Sequence, residues 1–296
     1  MRRILFVTAY VGTAYNGWQI QPSGITIEEI LNRELSRLLD EEIHVIGASR
    51  TDSGVHAEGA VCVFDTGSRI PADKFCFAIN QSLPADIKVI SSIETVPDFH
   101  PRKCPCLKTY RYSIWNDTFE LPTKRLYTHW IHGSFDIGAV KRAAAYLVGE
   151  HDFKSFCSAG SQALTTVRKI TDIRVEGPIE VGDRRERSQG DLFMQNLQAD
   201  SARLIKDGNR WEGYQTDIWV TGNGFLYNMV RIIAGTLIDV GQGRLKPEDM
   251  KKILEARDRS AAGQTAPAKG LTLVGYQWPE NIFIRDESGR CRQELS

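Results

Sequence analysis

One stretch gathers more reactive chemistry than any other part of the chain: Gly47-Ala48-Ser49-Arg50-Thr51-Asp52-Ser53-Gly54-Val55-His56-Ala57. It holds a carboxylate, a guanidinium, an imidazole, three hydroxyls and two glycines, with almost nothing apolar to bury. A single ionised carboxylate in such a loop can act as a nucleophile or as a base. Loops between core strands suit that work, because a rigid scaffold fixes their side chains in a cleft. Read for local structure alone, Thr51-Asp52-Ser53-Gly54 is ordinary turn composition, with Asp52 able to bond its own backbone.

A second unusual feature lies far along the chain. Phe225 to Val240 reads as a strongly apolar helix, yet Arg231 sits among Phe225, Met229, Val230, Ile232 and Ile233. A cation in so apolar a helix is costly unless its head group meets an anion. Other candidates are weaker. His151-Asp152 imitates a dyad, but no third partner stands at a sensible spacing. Gly222-Asn223-Gly224 ahead of a helix resembles a phosphate cradle, without the further glycine or lysine of nucleotide-binding loops.

The elements that must position these residues are readable in order. Arg3 to Tyr10 predicts a strand running into the aromatic loop Val11 to Gln19. Thr26 and Glu29 form a capping box ahead of a helix with Ile27, Ile30, Leu31, Leu35 and Leu38 on one face. Strands at His44–Ile46 and Ala60–Phe64 flank the polar loop. A helix over Pro71–Asn80 and a strand over Ile87–Val96 follow. Strand, helix, strand, strand, helix, strand is a split βαβ plan, with helices on one face of an antiparallel sheet.

The second half alternates similarly. A proline-broken basic segment, Phe99 to Lys108, leads into an alternating strand at Thr109–Trp115, where basic and aromatic residues interleave as they do in binders of single-stranded or flipped nucleotides. A linker is expected over Asn116–Ser134, a helix over Asp136–Val148 and a strand over Val167–Glu176. From Gly177 to about Gln215 the composition turns charged and polar, as in an excursion from the sheet. A strand at Thr216–Thr221, the helix bearing Arg231, a short helix near Pro247–Arg257 and a closing strand at Lys269–Tyr276 complete the pattern. Asn281–Ser296 reads as a polar, frayed tail.

Composition sets broad bounds. With 296 residues, 42% hydrophobic and 25% charged, the chain suits one large or two moderate soluble domains. Thirty-seven basic and 37 acidic side chains balance, so any nucleic-acid binding must come from a local basic face. Met1-Arg2-Arg3 opens like a signal peptide, but the apolar run after it is short and broken. No stretch approaches a membrane span. The six cysteines are scattered, Cys104-Pro105-Cys106 being the one close pair, and read as reduced thiols of a cytoplasmic protein.

Arg50-Thr51-Asp52-Ser53-Gly54-Val55-His56-Ala57 resembles the catalytic signature of the TruA family of tRNA pseudouridine synthases. Four further motifs extend the resemblance over nearly the whole chain. Tyr10, Gly12, Tyr15, Gly17, Trp18 and Gln19 match an aromatic loop, with Val11 where the family usually has Asp. Phe99-His100-Pro101-Arg102 and Tyr110-Arg111-Tyr112 match a basic segment and the strand after it, Phe225 to Arg231 a third motif, and Gly270-Leu271-Thr272-Leu273 the closing one.

The resemblance implies an α+β pseudouridine synthase fold: two ferredoxin-like subdomains, 1–108 and 109–280, sharing a mixed, mostly antiparallel sheet, with helices on one side and a catalytic cleft between the halves. It implies isomerisation of uridine at tRNA positions 38 to 40 in the anticodon stem-loop, by a homodimer holding tRNA across both subunits. Asp52 would be the catalytic group, paired with Arg231. Tyr110 would stack on the uracil and Leu271 line the pocket. Arg50 would contact the backbone or fill the gap left by the flipped base, and His56 would join the substrate-binding set. No metal or cofactor is implied. Two other classes stand beside this reading. A non-catalytic RNA-binding module or tRNA chaperone would keep the basic and aromatic face, but needs no acid facing an arginine. A metal-dependent phosphoesterase would need an Asp and His cluster that the sequence does not assemble.

Overall fold

The Thr26 capping box forms: its hydroxyl accepts from the Glu29 amide, and helix α1, Ile27–Leu39, starts there. The apolar stripe of α1 (Ile27, Ile30, Leu31, Leu35) is buried against the sheet. The computed structural model describes residues 1–179, 213–278, 284–285 and 291–292. In chain order its strands and helices are β1 Arg2–Tyr10, α1, β2 Ile46–Gly47, β3 His56–Thr66, α2 Phe75–Ile79, β4 Ile87–Thr95, β5 Leu107–Asn116, β6 His129–Ile131, α3 Ile137–Ala145, β7 Gly149–Asp152, β8 Val167–Ile179, β9 Tyr214–Gly222, α4 Met229–Gly241, α5 Asp249–Ala256, β10 Leu271–Gln277, β11 Ile284–Arg285 and β12 Cys291–Arg292.

One sheet runs β4-β1-β3-β10-β5-β9-β8-β7, with β2 added on β3 and β6 on β5. It is mixed and mostly antiparallel: β10 runs parallel to β3, and β6 parallel to β5. This is the α+β architecture expected from sequence, a mixed, mostly antiparallel sheet with helices on one side. Alternation sorts the strand residues by face. Phe6, Phe64, Tyr112, Ile218 and Leu273 point to the side where α1 to α5 pack, in one continuous core. The opposite face carries a small cluster of Leu5, Ala48, Val61, Val63 and Phe99. The closing strand β10 joins the halves, pairing Thr272 with His56 on one edge and Leu273 with Tyr110 on the other. The last strand of the chain thereby lies beside the polar loop that precedes β3.

Several expectations need correction. Of the strand expected at His44–Ile46 only Ile46 pairs, with Val63, and the pairing continues one residue beyond it, Gly47 with Cys62. The reason is local: side chains of α1 take the amides just before it, Asn32 bonding Val45 N and Ser36 bonding Ile43 N. The helix expected from Phe225 begins only at Met229, because Asn228 is left-handed (φ 60°). The stretch expected as a linker over 116–134 contributes β6, a three-residue strand too short to show periodicity. Pro71–Asn80 divides into a 3-10 turn at Ala72–Lys74 and the short α2. The polar excursion is narrower than its composition: Gly177–Ile179 belongs to β8 and Tyr214–Gln215 to β9, with Ile179 opposite Gln215. Its remainder, 180–212, lies outside the described residues. Of the tail, the described residues form a two-rung ladder, Ile284 with Arg292 and Arg285 with Cys291.

Candidate active site

The polar loop is gripped from beneath by the aromatic loop after β1. Trp18 N donates to Thr51 O at 3.0 Å, Gly54 N to Tyr15 O at 3.3 Å, and the Tyr10 and Thr51 hydroxyls meet at 2.8 Å. Close approach explains two glycines there. A Cβ on Gly12 would collide with the Val55 carbonyl, and one on Gly17 (φ 84°) with the Thr51 carbonyl. Tyr15 and Trp18 are buried, so they hold the loop rather than offer a stacking surface. At Val11 the main-chain amide bonds Asp86 O, and the Asp86 carboxylate accepts from the Tyr15 hydroxyl at 2.7 Å.

Asp52 projects from this clamped turn toward α4. Arg231 Nη1 lies 3.4 Å from Asp52 Oδ2, with the two side chains 18% and 27% exposed. The same guanidinium donates from Nε to Ala266 O at 2.9 Å and from Nη1 to Asn228 Oδ1 at 2.8 Å. Burial raises the Asp52 carboxyl above its ordinary range, and the Arg231 charge and hydrogen bond oppose that shift without cancelling it. The cation expected to keep Asp52 ionised is therefore present, but burial is the larger effect. The result is a partly desolvated carboxylate with one long ionic contact, well suited to attack carbon or take a proton.

Cations surround the loop. Arg102 Nε bonds Gly47 O, Lys108 Nζ bonds Ala48 O, Arg50 Nη1 reaches Gln162 Oε1 at 3.4 Å, and Arg168 bonds the carbonyls of Thr165 and Val167. Among the described residues, the partners of these four cations are neutral oxygens rather than carboxylates. A chain of zero net charge thus gathers cations without carboxylate partners around the Gly47–Ala48 end of the polar loop.

The other expected residues fall in distinct places. Tyr110 is 7% exposed, with Phe225 packed edge-on at 5.2 Å. Burial and the nearby Asp52 charge push its phenol well above the usual value, so it stays neutral. Leu271 is buried, opposite Tyr112 rather than Tyr110. Arg50 is exposed. His56 is 3% exposed, and both its ring nitrogens are engaged: Nδ1 accepts from Gly12 N at 3.0 Å, which leaves Nε2 to donate to Leu126 O at 2.8 Å. Burial lowers its pKa. With no ring nitrogen left for substrate, His56 holds the loop. His151 and Asp152 do not form a dyad. His151 bonds Val148 O, while Asp152 accepts from Thr166 and faces Arg257. Among the described residues no group of three or more His, Cys, Asp or Glu could hold a metal ion. None of their helices is long and apolar enough to cross a membrane.

Two contributors escaped the sequence reading. Asn228 and the Ala266 carbonyl anchor Arg231, and Ser158 Oγ accepts from Asn228 Nδ2 at 3.0 Å. The available signal was Asn228 itself, an asparagine three residues before the arginine and a residue type tolerant of left-handed backbone.

A family model described as tRNA pseudouridine synthase matches residues 6–102 and 143–279, which include Asp52, Arg231 and Leu271. The chain is 40% identical over 274 residues to the tRNA pseudouridine synthase A of Caldicellulosiruptor bescii, covering 93% of this chain and 98% of that one. It is 41% identical over 275 residues to the protein of the same name from Brevibacillus brevis, covering 92% and 98%. A tRNA pseudouridine synthase A 2 of Clostridium perfringens matches at 38% over 273 residues, covering 92% and 98%. With both halves of the sheet matched by the family model, and these relatives matched almost end to end, the chain belongs to the tRNA pseudouridine synthase family.

Proposed function

We propose that this chain isomerises uridine to pseudouridine in the anticodon stem-loop of tRNA, at positions 38 to 40, with the Asp52 carboxylate acting on the sugar. The observation that carries the proposal is Asp52 itself: partly buried, raised in pKa, and facing a single arginine across the seam between the two halves. Conversion of uridine breaks the C1′–N1 bond, turns the base and forms a C1′–C5 bond, and the proton lost from C5 is balanced by one gained at N1. Nothing is oxidised or reduced. The carboxylate begins it, either by adding to C1′ as the base leaves or by removing a sugar proton.

Other residues take supporting parts. Arg231 orients Asp52 and balances part of its charge. Tyr110 and Leu271 wall the base pocket, and Arg50, exposed on the same loop, contacts the backbone around the flipped nucleotide. Arg102, Lys108 and Arg168 supply phosphate contacts, which position RNA without reading its sequence. The halves 1–108 and 109–280 act as two subdomains with the cleft between them. A homodimer spanning one tRNA, and a cytoplasmic location, belong to the same proposal.

Asp52→Asn is the test. Pseudouridine formation on unmodified tRNA transcripts should fall to background while tRNA binding is retained. The same assay, read by position, tests 38 to 40. A variant that makes pseudouridine near the parental rate contradicts the role of Asp52.

A further inference from the structure

We propose that Asn228 is a positioning residue for Asp52: its side chain holds the Arg231 guanidinium partly away from the carboxylate, so that Asp52 stays incompletely neutralised. The proposal rests on the reading of Asp52 as the reacting group.

Asn228 breaks two local rules at once. Three non-glycine residues among those described have positive φ: Asp40, Arg257 and Asn228. Asp40 and Arg257 end helices, where a left-handed residue is ordinary. Asn228 instead begins one, at the N-cap of α4. Asparagine there normally bonds the free amides of the first turn, and Asn228 makes no such side-chain bond. Its amide points the other way. Oδ1 accepts from Arg231 Nη1 at 2.8 Å, and Nδ2 donates to Ser158 Oγ at 3.0 Å. Ser158 N in turn bonds Tyr227 O, fixing that hydroxyl beside the turn.

The distances show which acceptor has the stronger hold. Nη1 is shared between Asn228 Oδ1 at 2.8 Å and Asp52 Oδ2 at 3.4 Å, while Nε is taken by Ala266 O. Charge-assisted pairs ordinarily close to about 2.7–2.9 Å. Here the neutral amide has the short bond and the carboxylate the long one. A local rule broken so that a side chain serves a neighbouring charge rather than its own helix is expected at functional sites. A carboxylate fully paired with arginine would be a weaker nucleophile and a weaker base, so an acceptor that keeps the pair open favours reaction.

Among the described residues, few groups face Asp52. Arg231 reaches it from α4, and the neutral phenol of Tyr110 from β5. Arg50 turns to Gln162, and Lys269, on the turn packed against Gly54, is taken up by Glu120.

The test compares Asn228→Gly and Asn228→Asp, both of which accept left-handed backbone. Single-turnover pseudouridine formation is measured against pH with excess enzyme, alongside thermal melts. Asn228→Gly frees Nη1 to close on Asp52, so the acid limb should move to lower pH and the plateau rate fall roughly 10–100-fold. Asn228→Asp adds a competing charge, so its acid limb should move to higher pH. Opposite displacements support the proposal. Limbs unmoved, or moved the same way, overturn it, because a merely structural residue lowers the rate at every pH alike. Asp52→Asn runs in parallel. Product from that variant would mean the reading of Asp52 has failed. An inactive Asp52→Asn with unmoved Asn228 limbs would mean that only this inference has.

Discussion

At the back of the polar loop His56 is 3% exposed with both ring nitrogens bonded to backbone, whereas at the front Asp52 keeps 27% of its side chain exposed and meets one cation at 3.4 Å. Three residues separate them. The difference teaches how the loop divides its work: a polar group whose bonding capacity is used up can only hold, and one left short can react. Burial acts on both. It lowers the His56 pKa and raises that of Asp52, disfavouring the charged form each time.

The consequences for stability have opposite signs. His56 binds protons less tightly in the folded chain, so its contribution is full above its ordinary value of 6.5 and is lost as pH falls through the lowered one. Asp52 binds them more tightly. Its contribution is full below the ordinary 3.8 and is lost as pH rises through the raised value. At neutral pH, then, His56 supports the fold and the ionised Asp52 weakens it.

Three substitutions would break or sharpen this contrast. The largest effect is expected from Arg231→Met, which removes the cation facing Asp52 and leaves the Ala266 carbonyl without that donor. Turnover should drop about 100-fold, as when one preorganised donor is lost from an active site. The acid limb of the rate should also move to higher pH. A parental rate and profile would show that the Asp52–Arg231 contact is incidental. His56→Ala should act on the fold instead. It leaves the buried Gly12 N unpaired, at about 1–3 kcal/mol for a buried group without a partner, and releases the Leu126 carbonyl at the surface. Calorimetry should show a lower melting temperature, with activity per folded molecule largely kept. An unchanged melt with lost turnover would reverse the assignment of the two ends of the loop. The smallest effect should follow replacement of 180–212 by a short turn, since Ile179 and Gln215 already pair at its base. Circular dichroism should show an unchanged fold, and a cooperative loss of structure would place a core element in that segment.

What the sequence made legible divides along the same line. Patterns carried by neighbouring residues were readable: the Thr26–Glu29 box, the buried stripe of α1, the flanking strand at Ala60–Phe64 and the lone arginine in an apolar helix. The Asp52–Arg231 pair came from resemblance, since nothing in spacing links residues 179 positions apart. The saturation of His56 was invisible, because its partners lie 44 and 70 positions away. Asn228 was hidden differently. The apolar pattern runs straight through Phe225–Val240, and periodicity cannot register one left-handed residue. The strand at His44–Val45 was lost to hydrogen bonds from α1, which no pairing pattern announces.

The central claim is that the fold keeps Asp52 under-satisfied at some cost to its own stability, and that the reaction uses this. The most direct measurement follows the melting temperatures of the parent and Asp52→Asn across the acid to neutral range, with the same preparations assayed for pseudouridine. The amide keeps the shape and removes the charge. At neutral pH the variant should melt at or above the parent and make no product, and the gap should close as pH falls through the raised Asp52 value toward 3.8. A variant that melts below the parent at neutral pH, with that deficit vanishing in acid, would show that the ionised carboxylate stabilises the fold, and would contradict the account.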